Sequence, residues 1–115
     1  MKTSYYGNKS LPPDIVAVRI SRGAPRWRTP YKIAGVARSL VPASELMGLH
    51  KSDYRAVYIA ALESAGVGTI MAELEPFGPD AVLMCFESLH DGTWCHRRIF
   101  ADWWERKTGG VIAEL

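Results

Sequence analysis

The sequence predicts a small three-layer α/β domain with a mainly parallel sheet flanked by helices. Apolar runs of strand length alternate with amphipathic segments of helical length along the chain, and this order is typical of βαβ units. The chain has 115 residues and contains no repeat or linker, so we predict one domain over residues 1–115. With 48% hydrophobic and 23% charged residues, the composition argues against a disordered or fibrous protein.

Two apolar runs predict buried strands. Ile15–Ile20 is rich in β-branched residues, and Ala81–Phe86 is an uninterrupted apolar run of strand length. Neither run alternates with polar residues, which indicates burial on both faces of a parallel sheet. Val111–Ala113 predicts a short final strand, and residues 26–48, interrupted by two prolines, predict a long loop with at most one short strand.

Three segments predict helices. In residues 53–66 the apolar side chains recur at intervals of three and four, and Gly66 ends the segment. Residues 69–75 form a second such segment before Pro76, and residues 94–107 form the third.

Export and membrane insertion are not expected from the sequence. No apolar run approaches the roughly 20 residues that a membrane helix needs, and the first residues lack the apolar stretch of a signal peptide. We therefore expect a cytoplasmic protein without membrane contact. Its two cysteines are then expected to be reduced thiols.

The charge is distributed unevenly along the chain. Residues 1–57 carry ten Lys/Arg against three Asp/Glu, whereas residues 58–115 carry four against nine. In the first 38 residues only Asp14 opposes eight basic side chains. Such a segment can present a positive surface to phosphate or another anion. The alternative is a solvated basic face without a specific ligand.

Residues with reactive side chains flank the loop that follows the Ala81–Phe86 strand. Cys85 and Glu87 stand at the carboxyl end of that strand, and Cys95 and His96 open the next helix. In open parallel sheets ligands bind beyond the carboxyl ends of the strands, so we expect these four side chains around one pocket. The helix N-terminus favours an anion there and lowers the pKa of a thiol.

These positions suggest catalytic roles. Cys95 would attack or orient a substrate, His96 would transfer a proton, and Glu87 would act as a base or orient a sugar hydroxyl. Cys85 is the second thiol of this site, although a cysteine in a buried strand commonly only fills space. His96 could likewise cap or pack. The conjunction of these residue types favours the functional interpretation.

Three arginines are candidate anion ligands. Arg22 and Arg26 follow the first predicted strand and leave the sheet at the edge where the cysteines lie, and Arg97 adjoins His96. Guanidinium groups bind phosphate oxygens in pairs. The alternative for Arg97 is an ordinary solvated helix residue.

The same part of the sequence contains candidate ligands for a metal ion. Cys85, His90, Cys95 and His96 form a mixed ligand set for zinc. However, the spacing lacks a Cys-x-x-Cys knuckle, and adjacent Cys95 and His96 are expected to point in different directions. We therefore predict no metal. The sequence also lacks a P-loop, a dinucleotide-binding glycine motif and a Gly-x-Ser-x-Gly elbow, and we predict no cofactor.

The same motifs resemble the family named domain of unknown function 488, in a compact branch. The most specific element is a strand-end cysteine followed by Cys-His-Arg at a helix start, and the resemblance spans about residues 5 to 115. The segments that carry it are Tyr6–Asn8, Val18–Ser21, Pro25–Trp27, Val82–Glu87, Cys95–Arg98 and Ala101–Glu105.

The resemblance implies a small α/β fold but supplies no reaction. Most members carry Asp-Val-Arg on the first strand, where this chain has Arg19–Arg22. Any role of that aspartate therefore does not carry over.

Three functions remain open from the sequence. The first is an enzyme-like domain that binds a phosphorylated or nucleotide-like anion at the Cys/His/Arg site. The second is a nucleic-acid-binding module whose basic N-terminal third would stack bases on Tyr5, Tyr6, Trp27 and Tyr31. The third is a non-catalytic interaction domain with tryptophans at its interface. The reaction, the substrate and the oligomeric state are not predicted.

Overall fold

The computed structural model describes residues 1–89 and 93–115 and confirms the predicted α/β fold. The strands within these ranges are β1 (Lys2–Tyr5), β2 (Ala17–Arg19), β3 (Ile33–Val36), β4 (Val82–Cys85) and β5 (Ala113–Glu114). The helices in the same ranges are α1 (Lys51–Ala65), α2 (Val67–Leu74) and α3 (His96–Thr108), with short 3-10 turns at Arg38–Leu40, Ser44–Leu46 and Glu75–Phe77. The five described strands form one parallel sheet in the order β3-β2-β4-β1-β5.

The predicted elements are present with small shifts in their ends. The Ile15–Ile20 run contains β2, the Ala81–Phe86 run contains β4, and the three helices begin and end within two residues of their predicted bounds. β3 is the single short strand allowed in residues 26–48. β1 was not predicted, because its sequence is polar although Thr3 and Ser4 are fully buried.

The order of the strands decides which face each connection covers. The connections from β1 to β2 and from β2 to β3 run across the sheet in one direction, and those from β3 to β4 and from β4 to β5 run in the other. Crossovers between parallel strands are right-handed, so the two pairs of connections must lie on opposite faces. One face therefore carries the three helices. The other carries residues 6–16 and 20–32, which we call the loop layer.

Packing on the two faces agrees with this rule. On β4, Leu83 faces the helices and packs in the larger core with Tyr58, Leu62 and Phe100. Its neighbour Met84 points to the opposite face, as successive strand residues do. There it packs against side chains of the loop layer and of the other strands; the members of this second cluster are Tyr6, Leu11, Ala17, Tyr31 and Val82. The third layer of the domain is thus built from irregular segments.

A helix that crosses a bilayer must be long and predominantly apolar. In the described part of the chain no single helix is long and apolar enough to cross a membrane. Among the described helices, only α1 and α2 taken together have the length and apolar composition of a membrane span, and a bend of 82° separates the two helices.

The loop layer depends on a buried hydrogen bond from Tyr31. Its hydroxyl donates to the backbone carbonyl of Tyr6 at 2.8 Å. Tyr31→Phe removes this donor and leaves a buried carbonyl unpaired, so we expect the free energy of unfolding to fall by about 1–2 kcal/mol. Urea denaturation measures the change.

Tyr5→Phe is the matched control, because among the described residues the half-buried Tyr5 hydroxyl has no hydrogen-bond partner. Equal losses in the two variants would contradict the role given to Tyr31.

Candidate functional site

A cavity of about 350 Å³ opens at the carboxyl ends of β2 and β4. The chain leaves β2 toward the loop layer, through Ser21, Arg22 and Gly23, and leaves β4 toward the helical face. Adjacent strands whose connections diverge in this way create the crevice in which open α/β sheets bind ligands. The cavity therefore lies where the topology alone would place a site, and at the edge that the sequence predicts.

The cavity has an aromatic wall and an apolar mouth. Tyr54 of α1 and Trp94 form an aromatic wall, with ring centroids 4.8 Å apart in an edge-to-face arrangement. The exposed side chains of Met47 and Leu49 line the mouth. Burial, with the negative charge of Glu87 adding to it, raises the pKa of Tyr54 to about 12. The Tyr54 hydroxyl is therefore a neutral group that can donate a hydrogen bond.

The two cysteines meet at the inner end of the cavity. Cys85 is the last residue of β4 and Cys95 is the N-cap of α3, and their sulfur atoms lie within bonding distance of each other. Both side chains are almost completely buried. This arrangement corrects the expectation of two separate reduced thiols, with an accessible nucleophile at Cys95 and an inert Cys85. Any chemistry here belongs to the pair.

The backbone separation of the pair is unusual for a disulfide. The Cα atoms of Cys85 and Cys95 are 7.8 Å apart, whereas disulfides ordinarily span roughly 4.4–6.8 Å between Cα atoms. The backbone would have to move for an unstrained covalent bridge.

His96 completes a cluster with the two sulfurs. Its Nε2–H donates to the carbonyl of Ile20 at 2.7 Å, which leaves the lone pair of Nδ1 directed to Cys95 Sγ at 3.6 Å. The prediction that Cys95 and His96 point in different directions is therefore wrong. We refer to Cys85, Cys95 and His96 as the Cys/His cluster.

The imidazole of His96 is uncharged in this position. Burial is the largest effect on its pKa, the positive charge of Arg97 lowers the pKa further, and the hydrogen bond to Ile20 opposes them, with a resulting pKa of about 4. At neutral pH His96 can therefore accept a proton or bind a cation. It therefore adds no positive charge beside Cys95.

Arg97 is committed to protein partners. Its side chain is fully buried, and it forms an ion pair with Glu114 at 2.8 Å. The remaining nitrogen, Nη1, donates to Cys85 Sγ at 2.9 Å. Since Arg97 does not line the cavity, the predicted anion-binding role is replaced by one inside the protein. Arg97 thus places a positive charge beside Cys85 Sγ.

The other predicted residues divide between the cavity and the surface. Arg22 and Glu87 line the cavity, and Glu87 Oε2 lies 3.3 Å from Cys95 Sγ. Arg26 is exposed and lies outside the cavity lining. The candidate zinc ligand His90 lies outside the described residues. The structure thus brings together Arg22, Cys85, Glu87, Cys95 and His96, but not Arg26 and Arg97.

Several lining residues were not predicted. Ser21, Tyr54 and Trp94 all face the cavity, as do Pro42 and the segment from Leu46 to Leu49. The length of the irregular stretch before α1 was the available signal for that segment, because long loops in small domains are commonly functional. Trp94 directly precedes the predicted cysteine. For Tyr54, the helical spacing indicated an inward face but not the cavity that this face meets.

The two alternative functions, nucleic-acid binding and protein interaction, both require exposed aromatic side chains. Tyr6 and Tyr31 are buried and hydrogen-bonded, so two of the four aromatics predicted to stack nucleic-acid bases are inaccessible. Trp103 and Trp104 are likewise buried in the core, which removes them from a predicted interface. Trp27 is half exposed and packs edge-to-face on Phe86 beside the cavity.

Comparisons with protein-family models, with curated proteins and with solved structures found no match. The resemblance to the domain of unknown function 488 family is not tested by them and stays a prediction from the sequence. The functional argument rests on the geometry of the site.

The Arg97–Glu114 ion pair is expected to stabilise the fold beside the Cys/His cluster. Glu114→Gln leaves a buried guanidinium without its counter-charge. Because Glu114 is itself one-quarter exposed, we expect a loss of about 2–3 kcal/mol in the free energy of unfolding, near the lower end for broken buried pairs. Chemical denaturation measures it.

Glu63→Gln is the control, since it breaks the surface pair with Lys107, and such pairs contribute little. If the two variants were equally stable, Glu114 would not be the group that holds Arg97.

Proposed function

We propose that this domain is enzyme-like and binds a small phosphorylated or nucleotide-like anion at the carboxyl edge of its sheet. The observation that carries the proposal is the cavity at the β2–β4 crevice, which opens between Arg22 and the buried Cys/His cluster. Such a ligand requires a cationic side chain that anchors its negative charge, which Arg22 provides near the mouth. It also requires reactive groups that face its reacting atoms, which the Cys/His cluster provides at the inner end.

The size and lining of the cavity support a small-molecule ligand. Its volume of about 350 Å³ lies within the range of small-molecule sites, roughly 300–1,000 Å³. Most of the lining is apolar or aromatic, and few polar groups converge on it, which is the usual composition of such sites. Trp94 offers a half-buried ring against which a planar base could pack.

The charges in the cavity favour a ligand with separate phosphate and hydroxyl groups. Arg22 can donate two parallel hydrogen bonds to phosphate oxygens, and α3 begins at the cavity, so its positive end faces the same space. Glu87 would repel a phosphate but accept a hydrogen bond from a sugar hydroxyl. The ligand would therefore place its phosphate toward Arg22 and its sugar toward Glu87.

The proposal is tested by ligand-induced thermal stabilisation with nucleoside monophosphates, sugar phosphates and inorganic phosphate. A ligand that binds only the folded state raises the melting temperature with concentration. We expect Arg22→Gln to weaken binding about tenfold or more, because a charge-assisted hydrogen bond contributes roughly 1.5–3 kcal/mol.

Arg26→Gln makes the same charge change outside the cavity lining and should leave binding nearly unchanged. Equal losses in Arg22→Gln and Arg26→Gln, with a steep dependence on salt, would contradict the cavity and favour a basic nucleic-acid-binding face. Absence of stabilisation by every ligand would overturn the proposal.

A further inference from the structure

The Cys/His cluster has the donor atoms of a metal site. The two sulfurs and a ring nitrogen of His96 all lie within 4.8 Å of one another, and all three residues are buried. Two thiolates and an imidazole form a soft set, and the common divalent ion that such sets hold in proteins is zinc. We propose that Cys85, Cys95 and His96 bind a zinc ion at the inner end of the cavity.

The backbone geometry favours a shared ion over a disulfide. Zinc binds thiolate sulfur at about 2.3 Å in tetrahedral geometry, which holds two sulfurs roughly 3.8 Å apart. That spacing is much longer than a covalent S–S bond of about 2.05 Å. It accommodates the Cα separation of 7.8 Å, which is too wide for an ordinary disulfide.

The imidazole is already set in the tautomer that a metal ligand needs. Nε2–H of His96 donates to the carbonyl of Ile20, so the proton is held on the nitrogen away from the cysteines. The lone pair on Nδ1 then faces Cys95 Sγ. Metal-binding histidines characteristically donate their second nitrogen to a carbonyl or carboxylate, which fixes the ring and its tautomer.

The surrounding charges also call for a dication. Arg97 donates to Cys85 Sγ and the positive end of α3 lies at Cys95, while the Glu87 carboxylate lies 3.3 Å from Cys95 Sγ. The charge of Arg97 is balanced by Glu114. Bound as thiolates, the two sulfurs together with Glu87 would bring more negative charge to this buried end than its positive groups balance, which is costly without a cation. One zinc ion neutralises both.

The fourth coordination position would face the cavity, because all three ligand residues line it. Three protein ligands with one open position are typical of catalytic zinc sites, and four protein ligands of structural ones. A water molecule or a ligand oxygen would occupy that position, with the Glu87 carboxylate beside it. The inference stands on the donor atoms and does not depend on which anion the cavity binds.

The test is the zinc content of the full chain. The protein is loaded with zinc, dialysed against metal-free buffer that contains a non-thiol reductant, and analysed by elemental mass spectrometry. We expect one zinc per chain. Cys85→Ser, Cys95→Ser and His96→Gln should each weaken zinc binding by at least about tenfold, whereas His50→Gln, an exposed histidine outside the cavity lining, should retain the ion.

A measurement on the unmodified chain keeps the test valid if a cysteine variant does not fold. Cobalt(II) should give thiolate-to-metal charge-transfer bands and intense visible bands of tetrahedral cobalt. A chain that retains no zinc and gives neither type of band would overturn the proposal. So would a chain that is two hydrogen atoms lighter and unreactive to maleimide, because its cysteines would be joined as a disulfide.

Arg22→Gln separates this inference from the proposed function. It should retain one zinc while it loses anion binding. Loss of zinc in Arg22→Gln would contradict the assignment of the ligands to the Cys/His cluster. Zinc retention without any anion binding would sustain the metal site and overturn only the proposed function.

Discussion

A single buried guanidinium organises the edge of the sheet that bears the cavity. Arg97 is fully enclosed, and a charge in that position is tolerated only with partners that satisfy it. Its partners are Glu114 on β5 and Cys85 at the end of β4. The demand for these partners fixes the first turn of α3 against two strands, and with it the positions of Cys95 and His96.

The strand order explains why a site forms where α3 begins. Right-handed crossovers send the chain from β2 and from β4 to opposite faces, which leaves a crevice between their carboxyl ends. β4 is buried along its whole length between β2 and β1. The cysteine at its end is therefore held in place by hydrogen-bonded neighbours on both sides. The crevice supplies space for a ligand, and β4 and α3 supply the reactive groups.

The sequence was most informative where one signal dominated. β4 and α3 were predictable because an uninterrupted apolar run and an amphipathic period leave few alternatives, and the edge of the sheet that bears the site follows from the parallel topology. β1 could not be predicted, because its buried polar residues are satisfied by side chains that lie outside the strand. Thr3 donates to Glu114, and Ser4 accepts from Asn8.

The directions of the side chains in the site could not be predicted from the sequence. Cys95 is extended, with φ −148° and ψ 147°, and His96 is the first helical residue. At such a boundary neither the strand nor the helix rule gives the direction of adjacent side chains, so their convergence was not foreseen. The burial of Arg97 was predictable from its helical spacing. It lies three and seven residues before Phe100 and Trp104, on the inner face of the helix.

The central claim is that the inner end of the cavity is a centre of two thiolates and one imidazole that share a metal ion. X-ray absorption at the zinc edge tests it most directly, because it reports the atoms bound to the ion without any variant. The account predicts two sulfur neighbours at about 2.3 Å and two nitrogen or oxygen neighbours at about 2.0–2.1 Å. A first shell made only of nitrogen and oxygen would contradict it.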